Sequence, residues 1–176
     1  MDAKDDNESV APSSDSTTAG TPTHTTEQDT SPLNEVSSRR SSSIGRAPAP
    51  GRIYMIRHLA QGKTLSLKGG HLSLETYDPH AGCYWNCVEN LGWLGFSETV
   101  SGKYLGRNGK FAFHAEAKFH LPWEWFVVTG HESGGGYCLQ SRFWDVLRWV
   151  GVGGNGRTLV EVKSSAEAAV WEFVEA

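Results

Sequence analysis

One unit of about 40 residues occurs three times along the chain, and this repeat constrains the fold more than any other sequence feature. In each copy a glycine precedes a short run of alternating apolar residues, and these runs begin after Gly70, Gly109 and Gly156. A tryptophan-containing segment follows each run, starting at Trp85, Trp123 and Trp171. The same order of segments in three copies predicts a fold with internal threefold symmetry.

Each unit reads as four short strands separated by turns that contain Gly, Asn or Pro. Apolar residues alternate with the period of two that is typical of a half-buried strand, as in the pairs Leu72/Leu74, Phe111/Phe113 and Trp171/Phe173. Three such units predict an all-β chain folded as a β-trefoil, a six-stranded barrel with a cap of three hairpins. We expect the tryptophans that recur at equivalent positions to be buried: Trp85, Trp171, and one of Trp123 and Trp125.

The first fifty residues differ in composition from the rest and are predicted to be disordered. They contain ten Ser, seven Thr and five Pro but no Trp, Tyr or Phe, so they bury too little apolar surface to offset the entropy of ordering. We therefore divide the chain into a disordered Ser/Thr/Pro-rich tail, residues 1–51, and a trefoil domain, residues 52–176. Residues 1–50 are expected to make almost no contacts with the domain. Two arginines just before Ser42 favour its phosphorylation.

The charge and hydropathy of the chain exclude two classes of partner. Residues 51–176 carry twelve acidic and twelve basic side chains, so the domain lacks the net positive charge expected of a nucleic-acid binder. No apolar run approaches the ~20 residues of a membrane span, and the acidic N-terminus lacks the apolar segment of a signal peptide. We expect a monomeric cytoplasmic protein that binds neither nucleic acid nor membranes.

The three cysteines are interpreted as reduced thiols. Cys83, Cys87 and Cys138 are odd in number and do not have the spacing of a disulfide framework. In our alignment of the repeats Cys87 stands where the other copies have Trp125 and Phe173, so we expect it to be a small core residue.

The segments Gly102-Lys103-Tyr104-Leu105, Asn108-Gly109 and Trp125-Phe126 resemble a repeat of the fascin-like, actin-crosslinking branch of β-trefoils. The resemblance covers roughly residues 52–174 and extends to small fungal proteins of that superfamily. It implies a non-enzymatic interaction module whose partner is a protein or a filament, with actin or the cytoskeleton as the expected setting. Fascins carry four trefoils in tandem and this chain carries one, so we expect no filament bundling by the monomer.

Two other trefoil functions stay open beside protein binding. Ricin-type lectins bind carbohydrate and typically carry a Gln-x-Trp string in each repeat, which this sequence lacks. Some fungal trefoils inhibit proteases through exposed loops, whose residues the composition does not identify. A glycan is therefore the alternative ligand, and protease inhibition is a third hypothesis.

No residue pattern predicts an active site, a cofactor or a metal centre. His114, Glu116 and His120 are close enough in sequence to place zinc ligands on one strand face. The later Pro-Cys-x-x-Cys string of zinc deaminases is absent. The favoured interpretation is a solvated strand face, and we expect neither catalysis nor a bound metal.

The stretch Arg142–Trp149 departs from the other two repeats and combines aromatic faces with Arg and Asp. Repeat symmetry does not dictate these residues, and such surfaces suit sugar stacking or a pocket that anchors a protein. The predicted ligand-binding residues are Arg142, Trp144, Asp145 and Trp149. In the alternative interpretation Trp149 fills the core position of Leu65 and Leu105, and Trp144 covers the rim of the barrel.

Overall fold

The computed structural model describes residues 45–176, which form twelve β-strands and two short 3-10 turns. Residues 1–44 of the predicted tail, including Ser42, lie outside the described residues. The strands in chain order are β1 (Ile53–His58), β2 (Thr64–Lys68), β3 (His71–Glu75), β4 (Tyr84–Asn90), β5 (Trp93–Glu98), β6 (Tyr104–Arg107), β7 (Phe113–Ala117), β8 (Phe126–Gly130), β9 (Tyr137–Phe143), β10 (Val146–Val152), β11 (Leu159–Val162) and β12 (Val170–Glu175). The 3-10 turns are Pro122–Glu124, before β8, and Ser165–Glu167, before β12.

Six of the strands close into a barrel. Antiparallel pairing connects β1, β4, β5, β8, β9 and β12 in that order, and β12 pairs again with β1. The remaining strands form three hairpins, β2–β3, β6–β7 and β10–β11. This is the architecture of a β-trefoil, so the fold predicted from the repeat is confirmed. Closure leaves no barrel strand with a free edge.

The strand pairing shows which residues of the three repeats are equivalent. In each repeat the fourth strand places one large residue at the same point between its two barrel neighbours, and the three are Trp85, Phe126 and Trp171. No more than 1% of any of them is exposed. The indole of Trp85 donates a hydrogen bond from Nε1 to the carbonyl oxygen of Leu65, 3.0 Å away. Three large side chains at one level of the barrel fill its interior, as close packing requires.

The second repeat corrects one part of the sequence alignment. Trp85 and Trp171 are buried as expected, and so is Trp125, whereas Trp123 is 51% exposed. The equivalent of Trp85 and Trp171 is nevertheless Phe126, so the alignment through Trp123 is wrong by three residues. Proline lacks the amide hydrogen that a strand ladder needs, and the segment from Pro122 to Glu124 therefore forms a turn, with β8 beginning at Phe126.

The cysteines behave as core residues. All three are free and buried. Cys87 pairs with Phe96, and the equivalent pairs in the other two repeats are Val128 with Leu139 and Phe173 with Ile56. The counterpart of Cys87 in the second repeat is therefore Val128 and not Trp125. Burial raises the pKa of the Cys87 thiol to about 11, which keeps it protonated and apolar at neutral pH.

Residues 45–50 pack against the barrel, so the expectation of almost no contacts is wrong for this segment. Pro48 is buried, and the backbone amide of Ala49 donates a hydrogen bond to the hydroxyl of Tyr54, 3.0 Å away. A Cβ atom on Gly45 would overlap the carbonyl oxygen of Phe173, so the two backbones touch. Proline already restricts the unfolded chain, so ordering this segment loses less entropy than its lack of aromatic residues suggests. The domain boundary after residue 51 stays a prediction.

Within residues 45–176, no helix has both the length and the apolar character that crossing a membrane requires.

Candidate binding site

The β9–β10 hairpin is two residues longer than its counterparts. The counterparts are the connections β1–β2 and β5–β6. Their last paired positions are His58 with Lys63 and Glu98 with Lys103, and four residues lie between the members of each pair. In the third repeat Ser141 pairs with Arg148, so six residues lie between them. The extra residues extend the ladder and leave Trp144 and Asp145 at its tip. The tip is therefore an addition to the repeat, and the barrel does not require it.

Trp144 is placed at the tip against its own conformational preference. Its φ is +51°, in the left-handed region, where a residue with a side chain is less stable by on the order of 1–2 kcal/mol. It is also 79% exposed. A hairpin tip that served the fold alone would carry Gly or Asn. A strained and exposed indole therefore points to a role outside the fold.

A cleft of about 740 Å³ lies beside this tip, and we call it the Trp123 cleft. The hairpin tip forms one part of its lining, and β7, the loop after β7 and the 3-10 turn form the other part. The residues that line it are His114, Glu116, Ala117, Leu121, Pro122, Trp123, Glu124, Arg142, Phe143, Trp144 and Asp145. Its lining is mostly apolar, with a few polar groups at intervals, which is the usual character of a small-molecule site.

The buried carboxyl of Glu124 supports the wall that carries Trp123. Glu124 is 5% exposed, and its Oε2 accepts a hydrogen bond from the backbone amide of Leu121, 3.2 Å away. A Cβ atom on Gly106 would lie only 2.7 Å from Oε1, so the glycine makes room for this carboxyl. Burial raises the pKa of Glu124, and the hydrogen bond from Leu121 opposes part of that increase.

His114 and Glu116 contribute to the lining of the cleft from β7. His114 Nε2 lies 3.1 Å from the carbonyl oxygen of Arg107, and because a carbonyl only accepts, this nitrogen carries the hydrogen. In the neutral ring Nδ1 is then an acceptor, and it lies 3.5 Å from the carboxylate of Glu116. That contact becomes favourable only when His114 is protonated. The Glu116 side chain is 69% exposed and faces solvent.

Arg142 anchors the hairpin tip to two indoles. The rings of Trp93 and Trp125 stack at 5.5 Å between centroids and 10° between planes, and the guanidinium of Arg142 lies 5.4 Å and 5.1 Å from the two centroids. Its Nε donates a hydrogen bond to the carbonyl oxygen of Trp144, 2.9 Å away. These cation–π contacts are each worth about 0.5–1 kcal/mol or more. They hold the strained tip in place.

A buried ion pair supports the base of the same hairpin. Arg107 contacts Glu161 at 2.5 Å, and the two side chains are 3% and 7% exposed. Arg148 lies 3.4 Å from the other oxygen of Glu161. The guanidinium of Arg107 also lies 3.8 Å from the ring centroid of Phe143, which lines the cleft. The ion pair thus fixes a side chain of the site.

Three of the four residues predicted to bind ligand meet at this cleft, and the fourth does not. Arg142, Trp144 and Asp145 line it, whereas Trp149 borders a separate cleft with His131 and Ser165. Trp149 also does not fill the core position of Leu65 and Leu105. That position belongs to Val150, which is fully buried.

The alignment of tryptophan segments concealed Trp123 as a site residue. Trp123 was grouped with the core tryptophans, although the preceding Pro122 is a signal for a turn. The three residues weighed as zinc ligands from the sequence, His114, Glu116 and His120, do not converge. His120 stacks on Tyr104 at 5.5 Å and 5°, away from the cleft lining. Among residues 45–176 no group of three or more His, Cys, Asp or Glu side chains could hold a metal ion.

Solved structures include proteins of the same fold. A ricin B-like lectin of Macrolepiota procera in complex with lactose is 14% identical, with a TM-score of 0.59 over 74% of this chain and 100% of that one. SeviL bound to asialo-GM1 saccharide is 18% identical, with a TM-score of 0.59 over 73% of this chain and 99% of that one. An endo-β-galactosidase from Clostridium perfringens that releases GlcNAcα1-4Gal is 15% identical, with a TM-score of 0.61 over 71% of this chain. This chain spans only 32% of its length.

At these identities the similarity shows the β-trefoil fold alone. The similar structures include carbohydrate-binding trefoils, and the comparison does not single out the fascin-like branch. No protein-family model and no curated protein matches the sequence.

Proposed function

We propose that the trefoil is a non-enzymatic glycan-binding domain and that the Trp123 cleft holds the saccharide. The observation that carries this proposal is the pair of exposed indoles, Trp123 on the 3-10 turn and Trp144 on the hairpin tip, which line one cleft together with carboxylates. Proteins of the same fold in complex with lactose and with asialo-GM1 saccharide support it. The fascin-like resemblance yields the rival hypothesis of a protein or filament partner.

The aromatic walls suit a sugar ring. One face of a hexose carries several C–H bonds with slight positive charge, and the face of an indole carries the negative part of its quadrupole. Trp123 is 51% and Trp144 is 79% exposed, so both rings present apolar surface to solvent. A sugar that stacks on either ring removes apolar surface from water, and each Å² removed stabilises the complex by roughly 25 cal/mol.

The polar groups at the border suit hydroxyl groups. Glu116 and Asp145 are exposed, and each carboxylate accepts hydrogen bonds from two hydroxyls of one sugar. A hydrogen bond to a charged acceptor is roughly twice as strong as a neutral one. Arg142 is already held by Trp93, Trp125 and the Trp144 carbonyl, so it contributes mainly by positioning the tip.

A binding role agrees better with the cleft than glycoside hydrolysis does. A glycosidase needs a carboxyl of raised pKa that reaches the glycosidic oxygen as a proton donor. The carboxyl with raised pKa is Glu124, and it is 5% exposed and bonded to the backbone of Leu121. Its role is to support the loop of Trp123.

Isothermal titration of the full chain with lactose tests the proposal. We expect Trp123→Ala and Trp144→Ala each to weaken binding at least tenfold, with unchanged thermal unfolding. Tyr77→Ala is the matched control, because Tyr77 is 48% exposed and lies outside the cleft. If neither lactose nor any neutral glycan on an array binds, or if both tryptophan variants bind as well as the wild type, the proposal is refuted.

A further inference from the structure

The β9–β10 tip separates two clefts, and the second has no place in the proposed function. This second cleft, which we call the Trp93 cleft, has a volume of about 290 Å³ and is lined by Trp93, Arg142, Trp144, Asp145, Val146 and Leu147. Arg142, Trp144 and Asp145 line both clefts. The hairpin tip is thus a ridge with a depression on each side.

We propose that the ligand is a linear oligosaccharide that crosses this ridge, with one part in the Trp123 cleft and a further sugar unit in the Trp93 cleft. This inference rests on the proposed function and defines the length of ligand that the site accepts. At about 290 Å³ the Trp93 cleft lies just below the usual range of about 300–1,000 Å³ for ligand pockets. It suits a single sugar unit, while the Trp123 cleft is large enough for more.

Trp144 is the residue that joins the two subsites. An indole has two faces, and this one is 79% exposed and borders both clefts. A saccharide chain that passes over it contacts Trp144 on either side of the ridge. Trp144 stands at the turn of the hairpin with a left-handed backbone, at φ +51°. This geometry accounts for a large aromatic residue where a glycine would be less strained.

The Trp93 cleft has its own apolar wall on a rigid support. Val146 and Leu147 are 48% and 39% exposed, so both present apolar surface that a sugar ring would cover. Trp93 is held by its stack on Trp125 and by the guanidinium of Arg142. A site whose side chains are fixed before binding loses little entropy when the ligand arrives.

Two linked subsites predict a dependence of affinity on chain length. When one sugar is bound, the next is held near the second subsite at a high effective concentration, so even weak contacts there raise the overall affinity. We expect the asialo-GM1 tetrasaccharide to bind the full chain at least tenfold more tightly than galactose, with lactose between them.

The test is isothermal titration of the full chain with galactose, lactose and the asialo-GM1 tetrasaccharide. The variant is Val146→Ser, because Val146 lines the Trp93 cleft only. The matched control is Val100→Ser in the corresponding loop of the second repeat, where Val100 is 89% exposed. We expect Val146→Ser to weaken the tetrasaccharide by about threefold and to leave galactose unchanged, while Val100→Ser alters neither.

The possible results separate this inference from the proposed function. If none of the three saccharides binds, the proposed function fails for galactosides and the two-subsite ligand fails with it. If they bind with equal affinity, or if Val146→Ser weakens galactose as much as the tetrasaccharide, the ligand does not cross the ridge. In that case the single-cleft proposal stands.

Discussion

Replacing Phe126 by Ala tests the equivalence of Phe126 with Trp85 and Trp171. Phe126 is 1% exposed, and its ring lies 6.0 Å from that of Phe96 and 6.1 Å from that of Phe113. The variant loses the transfer free energy of the ring, leaves a cavity in a closed barrel, and removes both aromatic contacts. Large-to-small changes of this kind cost about 3–5 kcal/mol.

Trp123→Ala is the counterpart of this variant, because the sequence alignment gave Trp123 the core position. Trp123 is half exposed and stands in a turn. Its loss should cost less than about 1 kcal/mol, as for surface substitutions. Urea unfolding followed by near-ultraviolet circular dichroism measures both values, and a common slope against urea shows that the unfolded states are comparable.

The two variants together decide between the strand register of the structure and the sequence alignment of the repeats. We expect Phe126→Ala to lower the urea concentration at the midpoint of unfolding strongly and Trp123→Ala to leave that concentration nearly unchanged. A loss of 3 kcal/mol or more for Trp123→Ala, together with a loss below 1 kcal/mol for Phe126→Ala, would show that Trp123 occupies the barrel.

Three further predictions concern pH, the N-terminal segment and filaments. The raised pKa of Glu124 means that its protonated form is favoured by folding, so its contribution to stability is complete below the ordinary value of 4.5 and is lost as the pH rises through the folded-state pKa. The free energy of unfolding of Glu124→Gln should therefore decline less than that of the wild type from pH 4 to pH 7, and parallel curves would contradict this. Deleting residues 1–50 should destabilise the domain by about 1–2 kcal/mol relative to deleting residues 1–44, because the hydrogen bond from Ala49 and the burial of Pro48 are lost; equal melting temperatures would refute this. The monomer should not bundle actin filaments in a low-speed sedimentation assay, since a single Trp123 cleft cannot join two filaments, and robust pelleting would overturn that expectation.

The architecture could be predicted from the sequence because the same structural unit is repeated three times along the chain. Strand period, turn residues and large apolar residues recur in each unit, so the barrel and the burial of Trp85 and Trp171 followed from the repeat. The register of the second repeat did not follow, because a barrel position requires volume and not a particular side chain. Phe126 fills it as well as an indole does, while Trp123 resembles the motif and lies outside the barrel.

Sequence reasoning identified residues of the candidate site only where that site departs from the repeat. Arg142, Trp144 and Asp145 stood out since symmetry does not explain them, and they do line one cleft. The part of the lining that carries Trp123 was not predicted, because it depends on the conformation of the loop and 3-10 turn that follow β7. Trp149 belongs to the same divergent stretch but lines another cleft, because it lies farther along β10 from the tip, where it pairs with Val162 of β11.

The ion pair of Arg107 and Glu161 makes the hairpins of the cap different from one another, so each fits only its own place. Arg107 pairs with Phe113 in the second hairpin of the cap, as Leu67 pairs with Leu72 in the first. Glu161 pairs with Val150 in the third hairpin, as Leu74 pairs with Leu65 in the first. Each of the two charged residues therefore stands where another repeat has an apolar residue. A chain built from three similar units risks docking a hairpin in a neighbour's place, or exchanging it with a second molecule. A misplaced hairpin would leave one buried charge without its partner, at a cost of about 3–5 kcal/mol. We expect this penalty to favour one order of hairpins over the permuted ones during folding.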